Sequence, residues 1–224
     1  NCLVGPDCDY SSFLRLPSPF PPENLEIMID SDISTAYKNR SLTEYDLSQK
    51  IADCFAGRTG NHMIFFPSFE YMNQIMPRID TILSKDTKIK HKIISQVTEM
   101  NSIEKEEFLK SFSEPYDGLL IGAAVLGGHF GEGIDLVGDR LKGVVIVGVG
   151  IPKITPERQI LSNYYSEKFG DGFAFAYRFP GWQKVLQAVG RVIRTETDTG
   201  FALLIDERLA KPEYLMLYPD HWKI

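Results

Sequence analysis

The stretch "GVVIVGVGIPKITPE", residues 143–157, decides the fold because it joins a strand to the start of a helix. Its first seven residues form a nearly continuous apolar run, which is typical of a strand buried on both faces of a parallel sheet. After Thr155, Pro156 occupies the first position of a helix, and Glu157 places an acid in the first turn. The stretch therefore predicts one strand–helix unit of an α/β domain.

The same pattern recurs along the chain. Four more apolar runs, most of them beginning at or next to a glycine or turn residue, are "LEIMI" (25–29), "HMIFF" (62–66), "GLLIGAAV" (118–125) and "GFALLI" (200–205). Helix starts alternate with them: a capping box at Ser41–Glu44 for a helix to about Ala56, an N-cap at Ser68, and a second capping box at Asn101–Glu104. This alternation predicts an α/β fold with helices on both faces of a mostly parallel sheet.

Two segments depart from the alternation. Residues 16–23, "LPSPFPPE", contain four prolines, so we expect residues 1–24 to be an extended lead-in on the surface. Residues 84–100 are polar and rich in lysine, which predicts a loop or an exposed hairpin. We therefore divide the chain into the lead-in, residues 1–24, and one domain, residues 25–224.

Composition limits the possible functions. The 224 residues suffice for one large domain with a full core, and no apolar run is long enough for a transmembrane helix. The net charge of −6 argues against a broad basic surface, so any nucleic acid would bind in a local groove. Three cysteines (Cys2, Cys8 and Cys54) with no signal segment favour the reducing cytoplasm. Because the first residue is Asn1, we expect a fragment or a processed chain.

The stretch "WQKVLQAVGRVIRTETDTG", residues 182–200, predicts an amphipathic helix that opens at Pro180 and continues through Arg194. Gln187, Arg191 and Arg194 fall within about 60° of one another, opposite the apolar stripe. They form either a solvated face or a binding site for a phosphate. The second interpretation is chemically reasonable because the planar guanidinium group of arginine presents several N–H donors to phosphate oxygens. Glycine destabilises a helix interior by roughly 1 kcal/mol relative to alanine. Gly190 is therefore expected in this helix if another group approaches the backbone closely.

Two further stretches carry possible phosphate contacts. The segment "GGHFGEGIDLVGD" (127–139) contains five glycines, so it is either a flexible loop or a loop whose backbone amides face a phosphate. The segment "MIFFPSFEYM" (63–72) places Ser68 at the start of a helix, which either caps that helix or holds a phosphate at its N-terminus. The chain contains no P-loop, no nucleophile elbow, and no histidine or cysteine set with metal-ligand spacing.

Together these stretches resemble the XPD/DinG branch of superfamily 2 DNA helicases. The segment "QAVGRVIR" (187–194) is similar to motif VI of that family, Q-x-x-G-R-x-x-R, and residues 129–152, with their E-G-I-D core, resemble motif V. The segment "IFFPSFEYM" (64–72) resembles motif IV. The segments at 16–25 and 197–209 look like those that bracket the same domain in bacterial members, so the resemblance covers nearly the whole chain in the right order.

The resemblance implies a second RecA-like motor domain, the C-terminal half of an ATP-dependent helicase. ATP and Mg²⁺ would be bound mainly by a first RecA-like domain, absent here, whose half of the protein also carries the iron–sulfur domain of this branch. This chain would then have no ATPase activity alone and no metal site of its own. An alternative is a non-catalytic RecA-like module that binds nucleic acid or a partner.

The resemblance also assigns roles to individual residues. The catalytic set would be Gln187, Arg191 and Arg194, with the arginines reaching the γ-phosphate of ATP across the cleft between the two domains. Motif V would contribute Glu132, Gly133 and Asp135 on the ATP side. Single-stranded DNA would contact Ser68, Gly127, Gly128 and His129. We expect the catalytic set to line an exposed cleft at the carboxyl edge of the sheet.

Overall fold

The computed structural model describes residues 18–85, 90–128, 130 and 140–223. In this part of the chain six strands form one sheet: β1 (Leu25–Asp30), β2 (Gly60–Phe66), β3 (His91–Ser95), β4 (Leu119–Val125), β5 (Gly143–Val147) and β6 (Gly200–Ile205). Their order is β1-β6-β5-β2-β4-β3, and every pairing is parallel. The expected α/β fold with a parallel sheet is confirmed.

The strands are buried because helices cover both faces of the sheet. Along β5, Val144 and Ile146 pack into one core, whereas Val145 and Val147 pack into the other. This alternation explains the continuous apolar run, since a strand with two buried faces has no side left for polar residues. All five strands that the apolar runs predict are present at the expected positions.

Six helices lie in the described residues: α1 (Arg40–Phe55), α2 (Phe69–Leu83), α3 (Ser102–Lys110), α4 (Pro156–Phe169), α5 (Phe179–Val189) and α6 (Pro212–Leu215). Side chains of α1 and α2 fill the core on one face of the sheet. Side chains of α3, α5 and α6 fill the core on the other face. A π-helical turn, Ala174–Arg178, leads directly into α5, and α4 packs mainly on this turn.

Two predictions about local structure are wrong. The segment predicted as a loop or hairpin contains β3, a short edge strand that pairs in parallel with β4 alone and is only half buried. At the start of α1, Asn39 is the N-cap, so Ser41 lies inside the helix and forms no capping box. Glu44 instead accepts hydrogen bonds from Gln74 and Arg78 of α2, and the buried carboxylate thereby ties the two helices together.

The second predicted capping box is confirmed. The Asn101 side chain accepts hydrogen bonds from the backbone N–H groups of Ile103 and Glu104, at 2.9 and 3.0 Å. The Glu104 carboxylate accepts in return from the Asn101 backbone N–H at 2.8 Å. Two orphan donors in the first turn of α3 and the N–H group of its N-cap residue are therefore satisfied.

All the strands run in the same direction. The sheet therefore has a carboxyl edge, where the strands end, and an amino edge, where they begin. The loops after β2, β4 and β5 leave at the carboxyl edge, and α5 begins there, since Gly181 packs directly on Gly150. The residues after α5 reach the amino edge, where Val192 packs against Gly200 at the start of β6. Helix α5 therefore runs from the carboxyl edge to the amino edge, antiparallel to the strands.

Candidate functional site

At the carboxyl edge, the structure places Ser68 at the start of a helix. Ser68 is the N-cap of α2, directly after β2, and its hydroxyl oxygen accepts a hydrogen bond from the backbone N–H of Tyr71 at 3.3 Å. The remaining N–H groups of the first turn have no intrahelical partner, as at every helix N-terminus. A fifteen-residue helix that starts at a half-exposed serine therefore presents donors and a positive partial charge to this edge.

Gly127 and Gly128 lie next to this position. They follow β4, which neighbours β2 in the sheet, and the Leu126 backbone N–H donates to the Phe66 carbonyl at 2.8 Å. Gly127 has φ of +78°, a backbone conformation that favours glycine. The structure thus brings Ser68, Gly127 and Gly128 together at the ends of adjacent strands.

Lys184 is a basic residue at this edge that lies outside the predicted set of site residues. A Cβ atom added at Gly127 would lie 2.5 Å from the Lys184 Nζ atom, so the lysine side chain of α5 lies across the glycine. In the sequence, the one indication of Lys184 is its position three residues before Gln187 in the predicted helix. It places a positive charge at the carboxyl edge of a chain with a net charge of −6.

The predicted catalytic set lies at the opposite edge. Helix α5 ends at Val189, with Gly190 as its C-cap, so Arg191 and Arg194 belong to the turn that follows and not to the helix. The turn reaches the amino edge, because Val192 packs on Gly200 and the Asn24 side chain donates to the Glu196 carbonyl at 2.8 Å. The expected position at the carboxyl edge is therefore wrong, since the helix runs antiparallel to the strands.

The three residues also differ in exposure. Gln187 and Arg194 are exposed, whereas Arg191 is only 7% exposed. Helical periodicity predicts that the three side chains share one exposed face. They do not, because the helix ends at Val189, before the two arginines. Gly190 has φ of −64° and ψ of −1°, so it terminates the helix, and the cost of a glycine in a helix interior does not apply to it.

Asp198 fixes the turn that carries the arginines. Its carboxylate accepts hydrogen bonds from the backbone N–H groups of Arg194 and Thr195 at 2.7 and 2.8 Å, and from the Thr195 hydroxyl at 2.7 Å. Burial favours a raised pKa for Asp198, but these hydrogen bonds and the charge of Lys142 outweigh burial and hold the pKa below its usual value. The ionised carboxylate is thus the form that stabilises the turn.

The motif V residues Glu132, Gly133 and Asp135, and the proposed DNA contact His129, lie outside the described residues. So do Cys2 and Cys8 of the lead-in. Among the residues that the structure describes, no three histidine, cysteine, aspartate or glutamate side chains are grouped to hold a metal ion. No helix in this part of the chain is both long and apolar enough to cross a bilayer.

Residues 51–223 match the family described as the helicase C-terminal domain. The chain belongs to this family. The match includes both edges of the sheet and all of α5, although it begins after β1, which completes the sheet by pairing with β6.

Several curated relatives are named as ATP-dependent helicases. The chain is 28% identical over 212 residues to a probable ATP-dependent helicase of Methanocaldococcus jannaschii, covering 90% of this chain and 32% of that protein. It is 26% identical over 210 residues to the ATP-dependent DNA helicase DinG of Photobacterium profundum, covering 93% and 29%. The chain thus spans a third or less of the length of these relatives.

The fold agrees with solved structures. A structure titled XPD helicase superposes with a TM-score of 0.64 at 22% identity, and the match covers 86% of this chain and 33% of that one. At this identity the likeness concerns the fold alone. The domain is therefore a RecA-like α/β domain, the helicase C-terminal domain of the XPD/DinG type.

Proposed function

We propose that this chain is the C-terminal motor half of an ATP-dependent DNA helicase. It contributes arginine fingers to ATP bound on a first RecA-like domain of the same protein, and it grips single-stranded DNA. The observation that carries the proposal is the Q-x-x-G-R-x-x-R segment at the end of α5, within a family match that spans residues 51–223. The chain lacks a P-loop, so the first domain would hold ATP and Mg²⁺.

The residues at the amino edge suit a phosphate across a domain interface. Gln187 and Arg194 are exposed there, and the hydrogen bonds of Asp198 hold the backbone of the turn. Fixed guanidinium groups stabilise the charge that develops on a transferring phosphoryl group, without reorganisation during the reaction. Gln187 would orient the attacking water. Glu132, Gly133 and Asp135 are proposed on the family resemblance alone.

The carboxyl edge suits a nucleic-acid backbone. The N-terminus of α2 with Ser68, the backbone of Gly127 and Gly128, and the ammonium group of Lys184 all bind phosphate without reading bases. His129 is proposed on the family resemblance alone. The two edges therefore separate nucleotide chemistry from strand binding, and closure against the first domain would couple them.

The arginine assignment is tested by ATP hydrolysis in the full-length protein. Arg191→Ala and Arg194→Ala should each lower DNA-stimulated turnover by roughly 10³-fold or more, because the transition state loses a fixed positive charge. Binding of a fluorescent ATP analogue should persist, since the first domain holds the nucleotide. Near-normal turnover in both variants would contradict the assignment.

Two controls separate chemistry from folding. Arg191→Lys keeps the positive charge at the buried position and removes the guanidinium fork, so it should remain folded and inactive. Arg78→Ala removes an arginine on α2, on the other face of the sheet, that pairs with Glu44 at 2.9 Å. Its turnover should be close to that of the wild type. The 224-residue chain alone should hydrolyse no ATP.

Strand binding is tested by substitution of Lys184. Lys184→Ala should weaken the binding of single-stranded DNA and reduce the slope of log affinity against log salt by about 1, because one phosphate contact is lost. Lys184→Arg should retain most of the affinity, and Lys110→Ala, at the exposed end of α3, should change neither quantity. An unchanged salt slope in Lys184→Ala would remove Lys184 from the interface.

The alternative function is a RecA-like module that binds nucleic acid or a partner without catalysis. It shares the carboxyl edge but makes no use of the arginines. A full-length protein that binds single-stranded DNA with no DNA-stimulated ATP hydrolysis would favour the alternative.

A further inference from the structure

Helix α4 packs poorly against the rest of the domain. Ser162 is its one buried residue, although the helix has fourteen residues and well-formed ends: Thr155 caps the N-terminus and Gly170, at φ of +81°, closes the C-terminus. A helix of this length is only marginally stable in water by itself. Its few contacts with the domain therefore do not account for its stability. Among the side chains that it presents to solvent are four large apolar ones: Ile160, Leu161, Tyr164 and Phe169.

The exposed aromatic rings around α4 and the π-helical turn form two groups. Ring contacts through Tyr165 and Phe175 join Tyr164, Phe169 and Phe179, whereas Phe173 stacks on Tyr177. Tyr164, Phe169, Phe173 and Phe179, here called the aromatic surface, are 52, 48, 46 and 38% exposed. Large rings in such a group are unusual on a soluble domain and indicate a binding surface.

Stacking contacts already hold these rings in place. Phe169 stacks on Phe175 with a centroid distance of 5.0 Å and an interplanar angle of 28°. Phe173 stacks on the buried Tyr177 at 5.3 Å and 24°, and Phe175 meets Phe179 edge-on at 5.2 Å. A partner that stacks on these rings therefore finds them pre-arranged, which lowers the entropy lost on binding.

Two cations flank the rings. The Lys168 Nζ atom lies 5.7 Å from the centroid of Tyr164 and 5.5 Å from that of Phe169, and the Arg178 guanidinium lies 5.9 Å from that of Phe173. Asp171 pairs with Arg178 at 3.2 Å. Residues 153–179 carry four basic and three acidic side chains, so they are slightly basic in a chain of net charge −6: Lys153, Glu157, Arg158, Glu167, Lys168, Asp171 and Arg178.

The aromatic surface belongs to the carboxyl edge. The loop after β5 leads into α4, and Phe179 begins α5 two residues before Gly181 packs on Gly150. The proposed strand contacts at Ser68, Gly127 and Lys184 lie at the same edge. A strand held there by its phosphates could continue onto the rings with its bases.

We propose that the aromatic surface stacks the bases of single-stranded DNA and extends the strand-binding edge of the domain. The inference rests on the proposed function, because it takes single-stranded DNA as the ligand. Rings bordered by cations can bind both the bases and the phosphates of single-stranded DNA. The bases stack on aromatic faces regardless of sequence, and the phosphates pair with lysine and arginine. Ile160 and Leu161 lie on the same helix and would favour a protein partner, which the experiment distinguishes.

The test compares leucine with aromatic substitutions in the full-length protein. Leucine keeps an apolar side chain and removes the stacking face, so the double variant Tyr164→Leu with Phe173→Leu should bind an oligothymidine of about 20 nucleotides at least tenfold more weakly. The double variant Tyr164→Phe with Phe173→Tyr should retain wild-type affinity. Fluorescence anisotropy of the labelled strand measures affinity, and quenching of a 2-aminopurine base within the strand reports stacking directly.

Each remaining outcome decides between explanations. Wild-type affinity in the leucine variant would overturn the proposal. If Leu161→Ala then lowered the melting temperature of the full-length protein, the surface would be assigned to docking of another part of the polypeptide. The proposed function fails separately, through near-normal DNA-stimulated turnover in Arg191→Ala and Arg194→Ala, because these two variants keep the aromatic surface intact.

Discussion

At the scale of single residues, His62 shows how the sheet constrains a titratable group. It lies in β2 between the rings of Phe55 and Phe201, with centroid distances of 5.3 and 5.4 Å. Burial lowers the pKa of His62 to about 4, although a hydrogen bond with the Thr59 carbonyl favours the charged form. The folded protein therefore keeps this imidazole neutral, whereas the unfolded chain protonates it near pH 6.5.

This difference predicts a loss of stability on acidification. Below about pH 6.5 the unfolded state binds one more proton than the folded state, so the free energy of unfolding should fall by about 2 kcal/mol between about pH 7 and pH 5. Denaturant titrations across this range measure the slope. His62→Gln should flatten it, and His221→Gln, at an exposed position, should leave it unchanged. Equal slopes in the wild type and His62→Gln would contradict the assignment.

At the scale of elements, the strands and helix caps that depend on a local residue pattern could be predicted from the sequence. The five buried strands and the Asn101 capping box follow from residues that are close in the chain. β3 was missed because its half-exposed edge strand carries lysine and histidine instead of a continuous apolar run. The end of α5 was placed too late because Val192 and Ile193 continue the apolar spacing after the helix has stopped, packing against the start of β6 and other core residues.

The position of α5 depends on a contact between two glycines, which the sequence could not reveal. A Cβ atom at Gly181 would lie 2.9 Å from the Gly150 carbonyl carbon and from the Val149 carbonyl oxygen, and backbone cannot move aside as a side chain can. Alanine favours the helix by about 1 kcal/mol, but the overlap outweighs this gain, so Gly181→Ala should lower stability by about 1–2 kcal/mol net. Thermal unfolding measures the change, with Gly190→Ala as the control. Equal melting temperatures would show that α5 can shift outward without cost.

At the scale of the whole molecule, α5 connects the two proposed activities. Its eleven residues span roughly 16 Å between the carboxyl edge, where we propose that the strand binds, and the amino edge with the arginines. Lys184 lies in the middle of the helix with its side chain at Gly127, and Gln187 precedes the turn that carries Arg191 and Arg194. The motif residues could be identified from the sequence, but their division between opposite edges could not, because it depends on where the helix starts and stops relative to the sheet.

Gly190 tests whether another domain approaches the end of this helix. Its φ of −64° is open to any residue, and a Cβ atom there would come no nearer than 3.2 Å to its closest neighbour, the Leu186 carbonyl oxygen. Gly190→Ala should therefore leave the melting temperature within a few degrees of that of the wild type. If the first motor domain closes onto this turn, the added methyl group should hold the arginines away from the phosphate and lower DNA-stimulated turnover about tenfold, since small misplacements cost that much or more. Wild-type turnover in Gly190→Ala would mean that this glycine serves only to end the helix.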